Sequence, residues 1–216
     1  MIYLSGVVRK ELLGKENIGL MITPRMGNNP DLSRTPWAAD NGCFSAGAKF
    51  KLDDFYRFLD RQEPYRETCL FAVAPDVLGD ADATEARSAP ILPEIRRRGY
   101  KAAFVAQDGI KHIQFDIFDV LFIGGSTEFK LSNTARCLTH TARMHGIPVH
   151  MGRVNSEKRL RTAMMWGCGS ADGTYLARAP DVNLPKIAGW FSSIYQAPNF
   201  CFAMTEPLSK PEGEKT

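Results

Sequence analysis

Eight short apolar runs recur along the chain, each bounded by glycine, proline or polar residues of the kind that end a strand. Between several of them, apolar residues recur every three or four positions, the spacing of a helix with one buried face. The runs predict strands at residues 2–5, 18–23, 37–40, 69–74, 102–107, 120–124, 149–152 and 171–177. The helical spacing predicts helices at residues 52–61, 83–98, 133–145, 157–166 and 184–195.

Capping residues support the helix boundaries. Ser132 and Ser156 stand directly before two of the predicted helices, and Asp80 and Asp82 precede a third. Glycine follows the ends of the helices at 133–145 and 157–166. The boundaries are therefore marked by local chemistry as well as by periodicity.

Strands that alternate with helices predict parallel pairing through right-handed crossovers. Eight strands favour a closed barrel over an open sheet, so the expected fold class is α/β, a compact (β/α)8 TIM-like barrel. Its first two connections are too irregular for full helices. An open doubly wound sheet is the alternative, although no GxGxxG follows the first strand. We expect residues 1–206 to form a single domain and the polar residues 207–216 to be a disordered tail.

The amino-acid composition indicates an ordinary globular protein but does not indicate what the protein does. Of the 216 residues, 44% are hydrophobic and 24% are charged, as in ordinary globular proteins, and the net charge of +3 permits a nucleic-acid partner. There is no apolar run of about 18 residues and no basic leader before an apolar core, so neither a membrane span nor a signal peptide is expected. The five cysteines form no CxxC pair, which favours a reduced, cytoplasmic protein.

Polar side chains stand where predicted strands end, which is where parallel barrels carry their functional residues. Asp40 and Gln107 end two of the predicted strands, and Asp76 follows a third. Gly124 and Gly125 stand at the end of a fourth, and the last strand carries Asp172. Carboxylates at such positions are costly unless they are paired or used. Carboxylates accept from ring N–H and amino groups, and bare glycine backbone lets a planar ring approach closely. The set predicts a pocket for a flat, donor-rich heterocycle such as guanine.

Each of these features also has another interpretation, either structural or functional. Asp40 and Asp76 fit turns, and Asp172 followed by glycine fits a hairpin. Gly124 and Gly125 fit the phosphate loop of a barrel enzyme. His150 is interpreted mainly as a packing residue. None of the four histidines has metal-ligand spacing, so no metal site is predicted.

The ordered set resembles the tRNA-guanine transglycosylase family and its relatives that act on DNA, over roughly residues 35–180. The family's D-S-G-G-F-Q is similar to DNGCFS at 40–45, its base-recognising aspartate to Asp76, and its V-Q-G-G to AQDG at 106–109. Its G-G-L-A, L-M-G-V-G and F-D-C-V are similar to GGST at 124–127, HMGRV at 150–154 and ADGT at 171–174.

Departures from the family pattern indicate which branch of the family this chain resembles more. Cys43 replaces a glycine, Ser45 replaces a glutamine, and the C-x-C-x-x-C…His zinc site of the tRNA-specific members is absent from the sequence. A short chain without this site is more similar to the DNA-modifying branch of phages and bacterial modification islands. That branch exchanges guanine in DNA for a 7-deazaguanine derivative.

The resemblance implies a reaction and its residues. Asp172 would be the nucleophile that forms a covalent glycosyl-aspartate, assisted by Asp40, with no metal or other cofactor. The implied base-binding residues are Asp76, Gln107, Gly124, Gly125, Met151 and Phe44. Basic residues near the ends of the last strands are candidate contacts to the nucleic-acid backbone: Arg153, Lys158, Arg159, Arg161 and Arg178.

The resemblance also implies partners, and other functions stay open. The expected partners are DNA, as a single strand or with a flipped base, and a free 7-deazaguanine base, in the cytoplasm of a bacterium or a phage-infected host cell, with no membrane partner. A homodimer is compatible with the family. The alternatives are a tRNA-guanine transglycosylase-like enzyme, a barrel enzyme acting on a small phosphorylated metabolite, and a non-catalytic nucleic-acid binder.

Overall fold

A computed structural model describes residues 1–26 and 30–196. Eight parallel strands form a closed barrel in chain order, in which β8 pairs with β1, so the predicted (β/α)8 barrel is confirmed. The strands are β1 Ile2–Ser5, β2 Ile18–Ile22, β3 Trp37–Ala39, β4 Cys69–Val73, β5 Ala102–Ala106, β6 Val120–Ile123, β7 Val149–Met151 and β8 Ser170–Gly173.

Eight α-helices occur in the described part of the chain, and they lie between the later strands and after β8. They are α1 Cys43–Ala46, α2 Leu52–Arg61, α3 Ala81–Ser88, α4 Leu92–Arg97, α5 Thr127–Lys130, α6 Asn133–Met144, α7 Glu157–Met165 and α8 Pro180–Tyr195. The connection between β1 and β2 has only a 3-10 turn at Lys10–Leu12, and the described residues between β2 and β3 include no helix. The expected irregular first connections are confirmed.

Three predicted elements are wrong in extent, and the last helix is one of them, because it begins at Pro180 and not at residue 184. The segment 83–98 is not one helix: it divides into α3 and α4, because Pro90 lies between them and Pro93 stands in the first turn of α4, where proline is tolerated. The last strand does not continue to residue 177. It ends at Gly173, where the Asn155 side chain accepts a hydrogen bond from the Thr174 backbone at 2.7 Å, and a 3-10 turn, Tyr175–Ala177, follows.

The predicted caps are in place on three helices. The side chains of Asp80, Ser132 and Ser156 accept hydrogen bonds from backbone N–H groups in the first turns of α3, α6 and α7, respectively. The helix starts are therefore satisfied by the residues that the sequence marks.

The core has two layers, because side chains alternate along each strand. A small cluster inside the barrel includes Leu4, Phe71, Val73 and Val105. A larger cluster lies between the barrel and the helices and contains Trp37, Leu59 and Met151, among others. Inward side chains of the small cluster close the barrel interior below its open end.

The predicted tail at 207–216 and the last ten residues of the predicted domain, 197–206, lie outside the described residues. Within the described ranges, no helix has the length and apolar character needed to cross a membrane.

Candidate active site

A cavity of about 170 Å³ opens at the C-terminal ends of the strands. This volume is below the 300–1,000 Å³ typical of sites for drug-sized ligands and suits one flat ring system. The cavity brings together eight of the residues predicted to be functional: Asp40, Phe44, Asp76, Gln107, Gly124, Gly125, Arg153 and Asp172. Side chains separated by up to 132 positions in sequence therefore face one space.

The turn after β3 presents Asp40 and fixes its orientation. One Asp40 oxygen accepts from the Gly42 backbone N–H at 2.9 Å, and Gly42 has a φ of 75°, which suits glycine. The buried Asn41 amide donates to the Val73 and Ala74 carbonyls at 3.3 and 3.2 Å, which ties this turn to β4. Asp40 is thus a turn residue and a cavity residue at once.

Asp76 and Gln107 form a coupled pair across two strand ends. The Gln107 amide nitrogen donates to Asp76 at 2.6 Å, and its oxygen accepts from the Gly79 backbone N–H at 3.0 Å. The Cys43 thiol donates to the other Asp76 oxygen at 3.4 Å. These bonds fix the flip of the Gln107 amide and hold the carboxylate still. The pair gives the cavity an acceptor edge, which is complementary to N–H groups on a ligand.

The glycines after β6 form a wall that has no room for side chains. A Cβ on Gly124 would lie 3.3 Å from the Gln107 amide nitrogen and would collide with Val105, and Gly125 has a φ of +70°. Asp108 accepts from the Ser126 backbone N–H at 2.7 Å, at the start of α5. That N–H is therefore already bonded, which weakens the interpretation of this loop as a phosphate cradle.

Asp172 lies on β8, in a parallel strand, so the hairpin interpretation of this position is wrong. One of its oxygens, Oδ1, accepts from the His150 ring at 3.0 Å and from the Arg153 backbone N–H at 3.2 Å. Among the described residues, no donor is in hydrogen-bond contact with Oδ2. The side chain is 21% exposed, so one oxygen is anchored and the other remains available to a ligand.

His150 contacts Asp172 at the site, whereas the sequence analysis interpreted it mainly as a packing residue. It is fully buried, its Nδ1 lies 2.8 Å from the Ser170 hydroxyl, and its ring packs 4.4 Å from that of Phe122. Ionised Asp172 can only accept, so Nε2 carries a hydrogen, and in the neutral ring Nδ1 accepts from Ser170. The alternation of β7 was the available signal, because it turns position 150 inward between two outward neighbours.

Burial and like charges change the acid–base properties of the cavity. Burial, followed by the charges of Asp172 and Asp76, raises the pKa of Asp40 to about 6, although its Gly42 hydrogen bond opposes the shift. Asp40 can therefore hold or release a proton near neutral pH. Burial also lowers the pKa of Lys130 to about 8, and this lysine donates to the Gly125 carbonyl at 2.9 Å. Lys130 was not predicted, since it lies in a helix too short to show periodicity.

Met151 does not reach the cavity. It is 1% exposed and belongs to the cluster between the barrel and the helices. Its neighbours on β7 and the following loop, His150 and Gly152, face inward instead, because adjacent strand residues point to opposite sides. The base contact implied for Met151 by its motif is not one that its side chain makes.

The predicted backbone-binding cations divide into separate groups. Arg153 lines the cavity, and Arg159 donates to the Arg153 carbonyl at 3.2 Å. Arg161 instead forms an ion pair with Glu157 at 3.2 Å and contacts Ser193 on α8. Lys158 and Arg178 are exposed on the surface. The structure thus brings two of the five to the cavity region.

Among residues 1–26 and 30–196, no group of three or more histidine, cysteine, aspartate or glutamate side chains is arranged to hold a metal ion. The described site consists of carboxylates, an amide, a histidine and cations.

No family model and no curated protein matches the chain. Solved structures do: the Amycolatopsis orientalis BexX/CysO complex has a TM-score of 0.51 at 12% identity and covers 89% of this chain and 84% of that one. The Bacillus subtilis YkuI protein, with an EAL domain, has a TM-score of 0.46 at 18% identity, covering 76% of this chain and 44% of that one. The PaMucR phosphodiesterase has a TM-score of 0.41 at 18% identity and covers 70% of this chain and 72% of that one. At these identities the likeness concerns the barrel fold alone.

Proposed function

We propose that this protein is a base-exchanging transglycosylase that replaces guanine in DNA with a 7-deazaguanine derivative. The observation that carries the proposal is the anchoring of Asp172 by one oxygen in a cavity that also contains Asp40, Asp76 and Gln107. This arrangement supports nucleophilic attack at a sugar carbon beside a pocket for a donor-rich ring. The motif resemblance contributes the identity of the polymer and the base.

The first half-reaction removes guanine. Asp172 Oδ2 attacks the anomeric carbon, an ester bond forms there, and the bond from that carbon to the base nitrogen breaks. The electron pair goes to the departing guanine, and Asp40 supplies the proton that neutralises it. The pKa of Asp40 at about 6 leaves a usable protonated fraction near neutral pH.

The second half-reaction inserts the new base. Its ring nitrogen attacks the same carbon, the ester to Asp172 breaks, and the proton displaced from that nitrogen passes to Asp40. Two inversions give net retention, as in retaining glycosidases. Atoms and electrons balance without any oxidant, reductant or hydrolytic water.

Base selection rests on the acceptor edge of the cavity. Asp76, held in place by Gln107, accepts from the amino and ring N–H groups of a guanine-like base, while the glycine wall contacts its plane. The base must leave the duplex or come from a single strand, since the cavity is too small for a base pair. Phe44, which is 77% exposed at the cavity rim, can stack on a neighbouring base.

The test is incorporation of a labelled 7-deazaguanine base into single-stranded and double-stranded DNA. We expect incorporation by the wild type and a loss of about 10³-fold or more in Asp172→Asn, which keeps the shape but removes the nucleophile. Intact-mass analysis should detect a covalent sugar adduct only in proteins that retain Asp172. The matched control is Asp116→Asn, an isosteric change at an exposed loop position away from the cavity.

Two outcomes contradict the proposal: no incorporation into any DNA, or full activity in Asp172→Asn. Preferential incorporation into tRNA would mean that the same reaction takes place on tRNA. A competition assay that contains both DNA and tRNA measures this preference.

A second candidate is a barrel enzyme acting on a small phosphorylated metabolite. Arg153 favours it, because this cation lines the same cavity. The bonded Ser126 N–H opposes it. Inorganic phosphate that raises the melting temperature of the wild type but not of Arg153→Ala would favour this candidate.

A further inference from the structure

A second cavity, also of about 170 Å³, lies beside the first one. The two cavities share Asn41, and its neighbours Asp40 and Gly42 line the first and the second cavity, respectively, so the turn after β3 lies between them. The remaining lining comes from the loop after β2, from Gly42 and the end of α1, from the segment that joins α1 to α2, and from α2 itself. It is therefore formed by the early connections of the barrel, away from the ends of β7 and β8.

Five basic side chains line this second cavity, against a single carboxylate, that of Asp54. They are Arg25, Lys49, Lys51, Arg57 and Arg61. The whole chain has a net charge of only +3, so positive charge is concentrated here. Clefts lined by one sign of charge raise the local concentration of counter-ions and attract oppositely charged ligands.

The positive field acts on the one acid that is present. The pKa of Asp54 is lowered, first by the Arg57 hydrogen bond and then by the charges of Arg57, Lys51 and Arg25. Arg57 pairs with Asp54. In the described part of the chain, the other four cations make no salt bridge with a carboxylate. Four cations that form no salt bridge within the described residues thus line one concave surface.

We propose that this second cavity binds the phosphodiester backbone of the DNA strand whose nucleotide occupies the first cavity. The inference rests on the proposed function and deepens it. A nucleotide inserted beside Asp172 keeps its phosphates outside the first cavity, and the strand must continue across the mouth. Because Asn41 lines both cavities, the basic cavity is the positive surface that adjoins the first cavity.

The position of α1 supports a strand path between the two cavities. Phe44 on α1 lines the first cavity, and Ala46, two residues later, lines the second. An exposed phenylalanine beside a basic groove is the combination used to bind single strands, where bases stack and phosphates meet cations. Lysine and arginine contacts to phosphate carry no sequence information, so this surface would position the strand without selecting its sequence.

The experiment measures binding of a fluorescent, guanine-containing DNA single strand by anisotropy over a series of salt concentrations. The test variant is Lys51→Ala/Arg61→Ala, which changes two exposed side chains that line only the second cavity. We expect its affinity to fall about tenfold or more. Each phosphate contact to a single strand contributes about 0.7 to the slope of log K against log salt, so the loss of two contacts should reduce the slope by about 1.4.

The matched control is Lys101→Ala/Arg136→Ala, which removes the same number of charges from exposed positions outside both cavities. It should keep the wild-type affinity and slope. Far-UV circular dichroism and melting temperature establish that both double variants are folded. Equal affinity and equal slope for the test variant and the control would overturn the proposal.

Competition experiments identify the source of the phosphate. The labelled strand should be displaced by unlabelled DNA and not by inorganic phosphate or dGMP at equal phosphate concentration. Displacement by the small phosphates, or tighter binding of tRNA that depends on the same two residues, would also overturn it.

Failure of this inference is distinguishable from failure of the proposed function, because binding is measured without chemistry. Base exchange by the wild type, with unchanged affinity in the test variant, would reject the second cavity and leave the function standing. Weakened binding in the test variant without any base exchange would reject the function and leave the DNA-binding surface standing.

Discussion

Asp172 is anchored in the cavity through one carboxylate oxygen, and the anchoring is done largely by a buried histidine. His150 packs against the rings of Phe71 and Phe122, and its two ring nitrogens reach Asp172 and Ser170. Such a chain of hydrogen bonds fixes the orientation of the carboxylate before a substrate arrives. At the scale of single residues, His150 is therefore a positioning residue for the proposed nucleophile.

Replacement of His150 tests this role. His150→Phe fills much of the space but removes the N–H, and we expect kcat for base exchange to fall about 10–100-fold with little change in KM for DNA. His150→Gln keeps an N–H in reach of Oδ1 and should recover most of the rate. A purely structural role predicts instead that both variants lose melting temperature together and that glutamine gives no recovery of kcat.

Asp40 gives a pH-dependent prediction for stability. Its pKa is raised by burial and by Asp172 and Asp76, from 3.8 in the unfolded chain to about 6 in the folded protein. Below about pH 4 the group is protonated in both states and costs nothing. Between the two values the unfolded state releases its proton more readily, so the folded state loses stability as pH rises, and the loss is complete above about pH 6.

Asp40→Asn should therefore stabilise the protein at pH 8 and not at pH 4. Asparagine keeps the acceptor for the Gly42 N–H and removes the charge, for a gain of about 1–3 kcal/mol and a rise in melting temperature of several degrees. Thermal unfolding of both proteins at a series of pH values measures the difference. A gain that is constant with pH would contradict the assigned charge effect, and the variant should lose base exchange under the proposed mechanism.

At the scale of elements, local chemistry determines where helices begin, and this part of the structure follows the sequence closely. Ser132 precedes α6 and its side chain accepts from the Ala135 backbone N–H at 3.2 Å. Ser156 and Asp80 do the same for α7 and α3. Elements of four residues are different, because α1 and α5 are too short for a periodic signal. Phe44 of α1 lines the cavity, and α5 begins two residues after Gly125, which also lines it.

The cap of α6 gives a prediction at this scale. Ser132→Ala leaves the Ala135 N–H without its side-chain acceptor and should lower the free energy of unfolding by about 1 kcal/mol. In a chain of this size the melting temperature falls by about 2–4 °C. Ser132→Asp keeps an acceptor and should retain the wild-type value. Base exchange at a temperature where both variants are folded should be unchanged, since α6 does not line either cavity.

At the scale of the whole molecule, closure of the barrel assembles the site. β8 pairs with β1, and this closure turns eight strand ends into one ring, so that Asp40, Asp76, Gln107 and Asp172 meet. The ring also separates charge: carboxylates face the central cavity, and five cations surround the cavity next to it.

Sequence reasoning identified the strands, most of the long helices and the strand-end residues, because periodicity and capping are local properties. It misjudged residues whose role depends on which way a side chain points. Met151 belongs to the right motif and faces the helices, whereas its neighbour His150 faces Asp172. The second cavity was not predicted, since its cations come from three segments that only the fold brings together.

The sequence by itself thus determined the fold class, the helix starts and the order of the polar strand ends along the chain. The tertiary structure decided which oxygen of Asp172 is held, that Lys130 is buried, and where positive charge collects. The physical reason is that backbone patterns depend on near neighbours in the chain. Hydrogen bonds, burial and electrostatic fields depend on neighbours in space, and barrel closure makes residues neighbours regardless of their separation in sequence.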